Sequence, residues 1–151
     1  MQSSQPQAAY AHNGHLVTAE AVYKIACDPR RSVAVEACAG AGKTWMLVSR
    51  ILRALLDGAQ PHEILAITFT RKAAGEMRTR LNDWLREYGS PDCSEATRLQ
   101  ALVDRGVSPA QAPSLIEPLA ALHRRLLESG RPVEIRTIHA WFAQLLRAAP
   151  L

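Results

Sequence analysis

The stretch "SVAVEACAGAGKTWML" (residues 32–47) constrains the fold of this chain more than any other. Its β-branched opening, 32–37, reads as a short strand of the kind buried in a parallel sheet. The eight residues Ala37, Cys38, Ala39, Gly40, Ala41, Gly42, Lys43 and Thr44 follow the phosphate-loop pattern G-x-x-x-x-G-K-[ST], with Ala37 in place of the first glycine. Small residues let backbone N–H groups curl around phosphates, and a helix beginning near Lys43 aims its positive end at them. Lys43 then bridges β- and γ-phosphate oxygens while the Thr44 hydroxyl ligates Mg2+. The competing reading is a small-residue turn in which Lys-Thr falls by accident. A strand before it, a helix after it, and glycines at 40 and 42 favour nucleotide binding.

The surrounding periodicity builds an α/β unit. Residues 16–27 read as a short amphipathic helix with Thr18 as N-cap. In 44–57, Leu47, Val48, Ile51, Leu52 and Leu55 recur at helical spacing, and Gly58 and Pro61 end the helix. "EILAITFT" (63–70) is a second buried strand, so strand, helix and strand form a βαβ unit with a right-handed crossover. A further helix spans 72–88. The proline-punctuated stretch 91–131 reads as a helical insertion with pieces near 94–104 and 115–128. "VEIRTIHAWFAQLLR" (133–147) returns to the sheet and enters a last amphipathic helix. The organisation is therefore a disordered polar leader (1–15), a P-loop core (16–90), the insertion (91–131) and the return to the sheet (132–151).

Hydrolysis of a nucleoside triphosphate also needs a carboxylate on the metal and a group that orients water. None of the 14 acidic residues is adjacent to another, and "ALVD", ending at Asp104, sits within the insertion as a surface helix. The phosphate clamp is present without the rest of the catalytic machinery. The net charge of +4 suits a polyanionic partner without establishing one. No apolar run approaches the roughly 20 residues of a membrane span, and three widely spaced cysteines form neither a disulfide framework nor a metal motif. A reducing, cytoplasmic setting and no membrane partner are expected.

Three segments, "EACAGAGKT" (36–44), "ILAITFTRKAAGEMRTRL" (64–81) and "IRTIHAWFAQLLR" (135–147), resemble motifs I, Ia and Ib of the UvrD/Rep-like superfamily 1 DNA helicases, closest in flavour to the AddA/RecB type. The resemblance covers most of 16–149. It implies a RecA-like P-loop NTPase fold, a parallel sheet flanked by helices, seen as a partial domain with a helical insertion. It implies ATP and Mg2+ as cofactors, with Lys43 and Thr44 in the phosphate and metal roles. It also places single-stranded DNA against Thr68, Phe69, Thr70 and Lys72 and against Thr137 and His139. Hydroxyls at strand ends hold phosphates without reading bases, and an aromatic there stacks on any base. Plainer readings stand beside these: Phe69 finishing a buried strand, His139 bonded to backbone at a helix start, Thr68 and Thr70 as β-formers.

The family's upstream adenine-reading glutamine has no counterpart in "TAEAVYKIACDP", where Glu20 and Tyr23 stand near its place. The resemblance implies an N-terminal fragment of a 3′-to-5′ helicase acting in repair or recombination, inactive alone because motif II and later motifs are missing. Its expected partners are the remainder of the motor (the rest of domain 1A, and 2A) and a nuclease, whether a further domain or a separate chain. The alternatives are a non-catalytic ATP- and DNA-binding module and a small P-loop kinase. Among lesser features, His12-x-x-His15 reads as chance, Trp45, Trp84 and Trp141 as packing residues, and Cys38 as an alkylation-sensitive thiol or simply a small residue in a tight loop.

Overall fold

The computed structural model describes residues 10–38, 40 and 42–149. The chain enters through a hairpin of strands β1 (Tyr10–His12) and β2 (His15–Val17), in which His12 faces His15. This corrects the expected disordered leader over its last six residues; residues 1–9 lie outside the described ones. The cause is local. Asn13 (φ 50°) and Gly14 (φ 82°) take the left-handed conformations of a two-residue turn whose twist matches the strands it joins.

Helix α1 (Ala19–Ala26) begins where Thr18 accepts a 3.3 Å hydrogen bond from the Ala21 N–H, as its N-cap role requires. Between α1 and helix α2 (Lys43–Leu56) the residues expected to form the first buried strand, 32–37, are irregular and pair with no strand among the described residues. Val33 and Val35 are exposed. A β-branched run becomes a strand only when a neighbour satisfies its N–H and C=O groups and covers a face, and here none does. The turn that leads into this segment, residues 26–31, is held from α2 and its C-cap. The Arg50 guanidinium donates to the carbonyls of Ala26 (3.1 Å), Asp28 (2.6 Å) and Arg31. Arg30 forms a two-pronged ion pair with Asp57 (2.8 and 2.6 Å).

A 3₁₀ turn (Pro61–Glu63) leads into strand β3 (Leu65–Thr68). Helix α3 (Arg71–Gly89) follows, capped by Thr70, then α4 (Glu95–Asp104), a second 3₁₀ turn (Ala112–Leu115) and α5 (Ile116–Ser129). Strand β4 (Glu134–Thr137) and helix α6 (Ile138–Ala148) complete the described chain. β3 and β4 pair in parallel, Leu65 with Glu134 through Thr68 with Thr137. This second two-stranded sheet is thus a parallel pair joined across α3, α4 and α5.

The core lies among the helices and on one face of that pair. Val48, Ile51, Leu52 and Leu55 of α2 meet Met77, Leu81 and Leu85 of α3, Leu102 of α4, Leu119 and Leu122 of α5, and Ile135 of β4. Segment 91–131 therefore contributes inner core residues. Leu65 and Ile67, pointing to the other face of the sheet, stay partly exposed, and α6 buries none of its residues.

Candidate functional site

Gly42 opens α2 in the left-handed conformation (φ 82°) and offers no side chain to cap the helix, so the first-turn N–H groups remain available. Gly40 is also left-handed (φ 80°), and both glycines face open space. The Lys43 ammonium folds back along the loop and donates to the carbonyls of Ala37 and Cys38, the latter at 3.3 Å. Thr44 stands half-buried in the first helical turn, and Cys38 is exposed. Ala39 and Ala41 lie outside the described residues. The surroundings fit a triphosphate: an uncapped helix N-terminus, glycines that permit close approach, and a lysine held by neutral carbonyls. A phosphate is a stronger partner for that ammonium than a carbonyl dipole.

The second group gathers at the carboxyl ends of β3 and β4. Thr68 and Thr137 are opposed in the register, and each strand turns there into a helix N-terminus. Thr70 accepts from the Ala73 N–H (3.1 Å) and Thr137 from the Ala140 N–H (3.3 Å). A threonine hydroxyl that accepts a capping bond keeps its own O–H free to donate outward. Phe69 is 83% exposed, so it does not finish a buried strand. With Arg71, Thr137, His139, Ala140 and Ala143 it lines a cleft of about 400 Å³. His139 is exposed. Lys72 projects from the first turn of α3, 4.0 Å from Glu76 and otherwise in solvent. Phe69, Thr137 and His139 thus share one cleft, with Thr68 and Thr70 at its strand end. The phosphate loop is a separate feature.

Glu20 is exposed on α1, whereas Tyr23 is committed to packing. Its hydroxyl lies 3.2 Å from that of Tyr10 and its ring 5.1 Å from Trp45. The hydrogen bond with Tyr10, followed by burial, pushes the Tyr23 phenol up to about 12. Asp104 is a surface helix residue bonded to Gln100 (2.7 Å), as expected. No group of three or more metal-ligating side chains occurs among the described residues, His12 and His15 included.

One feature escaped the sequence. Arg105 is buried, 4% exposed, with its guanidinium 4.0 Å from the Trp84 ring centre, 5.3 Å from Trp45 and 5.4 Å from Tyr88. It donates to Ala101 O (2.7 Å) and the Tyr88 hydroxyl (3.1 Å), while its own carbonyl accepts from Arg53 (3.2 Å). Trp45 and Trp84 also meet edge to face at 6.0 Å. Aromatic faces carry negative charge density, which lets them host a desolvated guanidinium. Because Trp45 lies two residues after Lys43, the cage fastens the phosphate-loop helix to α3 and α4. The sequence signal was weak: aromatics at 45, 84 and 88 with an arginine just past the end of α4.

Among the described residues no helix is long and apolar enough to cross a membrane. The family model described as the UvrD/REP helicase N-terminal domain matches residues 18–150. Among curated proteins, the A subunit of the ATP-dependent helicase/nuclease of Lactobacillus helveticus is 48% identical over 65 residues, covering 42% of this chain and 5% of that protein. The Lactobacillus acidophilus protein of the same name is 43% identical over 65 residues, with the same coverage. That of Clostridium perfringens is 40% identical over 88 residues, 54% of this chain and 7% of its own length. The chain therefore corresponds to a small part of the curated relatives it matches. No solved structure matches it significantly. Over nearly its whole length, from the cap of α1 through α6, the chain belongs to the UvrD/REP helicase N-terminal domain family.

Proposed function

We propose that this chain forms the ATP-binding and single-stranded-DNA-holding part of an ATP-dependent 3′-to-5′ DNA helicase, with the RecA-like fold that membership of its family implies. The observation that carries the reading is the loop at the start of α2. There Lys43 lies over the Ala37 and Cys38 carbonyls, beside left-handed Gly40 and Gly42 and an uncapped helix N-terminus. Backbone N–H groups of 37–44 hold the β- and γ-phosphates, and Lys43 leaves the carbonyls to bridge them. Thr44 supplies the hydroxyl that would hold Mg2+, an ion whose charge offsets that developing on the phosphates. Trp45, locked by Arg105 and Trp84, keeps the first turn of α2 aligned.

DNA is held at the other group. Thr68, Thr70 and Thr137, with the N-termini of α3 and α6, offer donors to backbone phosphates, Lys72 and Arg71 add positive charge, and Phe69 stacks on a base. None of these contacts reads sequence, as a translocating motor requires. With no two adjacent acids, the chain grips nucleotide and DNA, and the carboxylates that drive hydrolysis come from the remainder of a larger motor. The parent's activity in repair or recombination belongs to this proposal, as does a nuclease, which the names of the curated relatives include.

The test is titration calorimetry of ATP with Mg2+ on the wild-type chain and Lys43→Ala, beside an ATPase assay with and without oligo-dT. Binding that disappears in Lys43→Ala, with no turnover under either condition, is the expected result. Steady hydrolysis by the wild-type chain would show that one of its isolated carboxylates works, and the division of labour between this chain and the rest of the motor would be wrong.

A further inference from the structure

A groove apart from the Phe69 cleft and the phosphate loop is lined by none of the residues in either candidate site. It runs between α3, α5 and the connection into β4, encloses about 350 Å³, and has an aliphatic floor that includes Leu81, Leu126 and Val133. Leu127, on its rim, is 70% exposed and extends the aliphatic floor to the surface. A second hollow of about 560 Å³ continues it past His62 and Arg136, the two sharing Arg78, Arg131, Pro132, Val133 and Ile135. The linings carry the cations Arg78, Arg131 and Arg136 and the imidazoles His62 and His123. The one carboxylate, Glu134, is already paired with Arg136 at 3.4 Å. Arg78 spends one N–H on the Ile135 carbonyl (2.7 Å) and keeps the rest of its fork for an incoming acceptor.

From this charge complementarity we infer that the groove docks an acidic, extended segment of a partner protein, one or two large apolar side chains entering between Leu126, Leu127 and Val133 while flanking carboxylates meet Arg78 and Arg131. An apolar centre ringed by arginines is the composition of protein–protein recognition surfaces. A nucleic-acid strand is the poorer occupant, because the linings hold no Phe, Tyr or Trp for a base to stack on, unlike the Phe69 cleft. The groove's lining reaches along β4 to Arg136 and the cleft's begins at Thr137, the next residue, and successive side chains of a strand point to opposite faces.

The test uses a fluorescein-labelled peptide, Asp-Glu-Leu-Asp-Phe-Leu-Glu-Asp, and its Asn/Gln counterpart, with fluorescence anisotropy on the wild-type chain and on Arg131→Glu, Leu127→Asp and Phe69→Ala. Arg131 and Leu127 are exposed, so both variants fold, which circular dichroism verifies. Expected is binding of the acidic peptide that weakens about tenfold or more in Arg131→Glu and Leu127→Asp, weakens with salt, and is unchanged in Phe69→Ala. Equal binding of the Asn/Gln peptide, or no binding of the acidic one, would overturn the inference. So would oligo-dT affinity lost in Arg131→Glu but kept in Phe69→Ala, which would make the groove a DNA site. A concentration-dependent dimer in sedimentation that Leu127→Asp abolishes would overturn it in favour of a second copy of the chain.

Discussion

The Arg105 guanidinium rests 4.0 Å from the centre of the Trp84 ring, buried and without a carboxylate partner among the described residues. Its charge is balanced by π density, by the Ala101 carbonyl and by the Tyr88 hydroxyl, while Nε has no hydrogen-bond partner. Burial raises the Tyr88 phenol, and the nearby Arg105 charge pulls it partly back. A charge so placed is tolerated only while the cage is complete.

Replacing the cage should therefore be costly and non-additive. Trp84→Ala leaves the buried guanidinium without its nearest aromatic and should cost roughly 3 kcal/mol or more in urea unfolding. Arg105→Met, which removes the charge and keeps much of the stem, should cost less. In the double variant the interaction term should be about 1–2 kcal/mol. Strict additivity would mean that the ring and the cation do not act together.

Gly106, the residue after Arg105, approaches α1 closely. A Cβ built there would stand 2.5 Å from the Lys24 Cα and 2.6 Å from the Tyr23 carbonyl, and its φ is +78°. Gly106→Ala should cost several kcal/mol, since both backbone conformation and space refuse the methyl. Gly130→Ala is the control. It has φ +64° with open space around it and should cost only about 1–2 kcal/mol of left-handed strain. Similar melting temperatures for the two variants would remove the close-approach argument.

Phe69→Ala should weaken oligo-dT binding by about 1–3 kcal/mol while leaving stability almost unchanged, because a ring 83% exposed buries little on folding. Lys43→Ala should leave DNA affinity untouched. Paired anisotropy and thermal melts check both. A large drop in melting temperature with Phe69→Ala would return that ring to a packing role.

The thiols should separate by rate and by pH. Cys38 is exposed and Cys27 is fully buried, its thiol pushed up to about 11 by burial against an ordinary value of 9.0. Iodoacetamide should modify Cys38 rapidly and Cys27 only on unfolding, as peptide mapping would show. A folded-state value above the unfolded one favours the protonated fold, so this stability is fully present below pH 9 and is lost as pH rises towards 11. Tyr23, pushed up to about 12, extends the loss further into alkali. Denaturant midpoints in Cys27→Ala should fall less steeply over pH 9–11 than in the wild type.

Much of the local structure was legible because it is written in short-range chemistry. Thr18 caps α1 as its place in the sequence led one to expect, and the apolar spacing of 44–57 places α2 within one residue of its observed start and end, whereas the capping by Thr70 and Thr137 was not read from the sequence. The hairpin around Asn13-Gly14 was equally local, but it sat inside a polar leader whose composition hid it. The strand expected at 32–37 failed for the opposite reason. A β-branched run states a preference, and only a neighbouring strand turns that preference into a ladder.

The sequence by itself determined the main helices, the Thr18 cap and the family, because each depends on residue identities at fixed short spacings. The tertiary structure alone decided that β3 pairs with β4 across three intervening helices, that Phe69 stands in solvent, and that Arg105 lies in a cage of rings contributed by α2 and α3. It also decided that arginines from α3, β4 and the 130–133 connection converge on one groove. Those relationships join residues tens of positions apart, and such contacts depend on how whole elements bury their apolar faces together, which no short window of residues specifies.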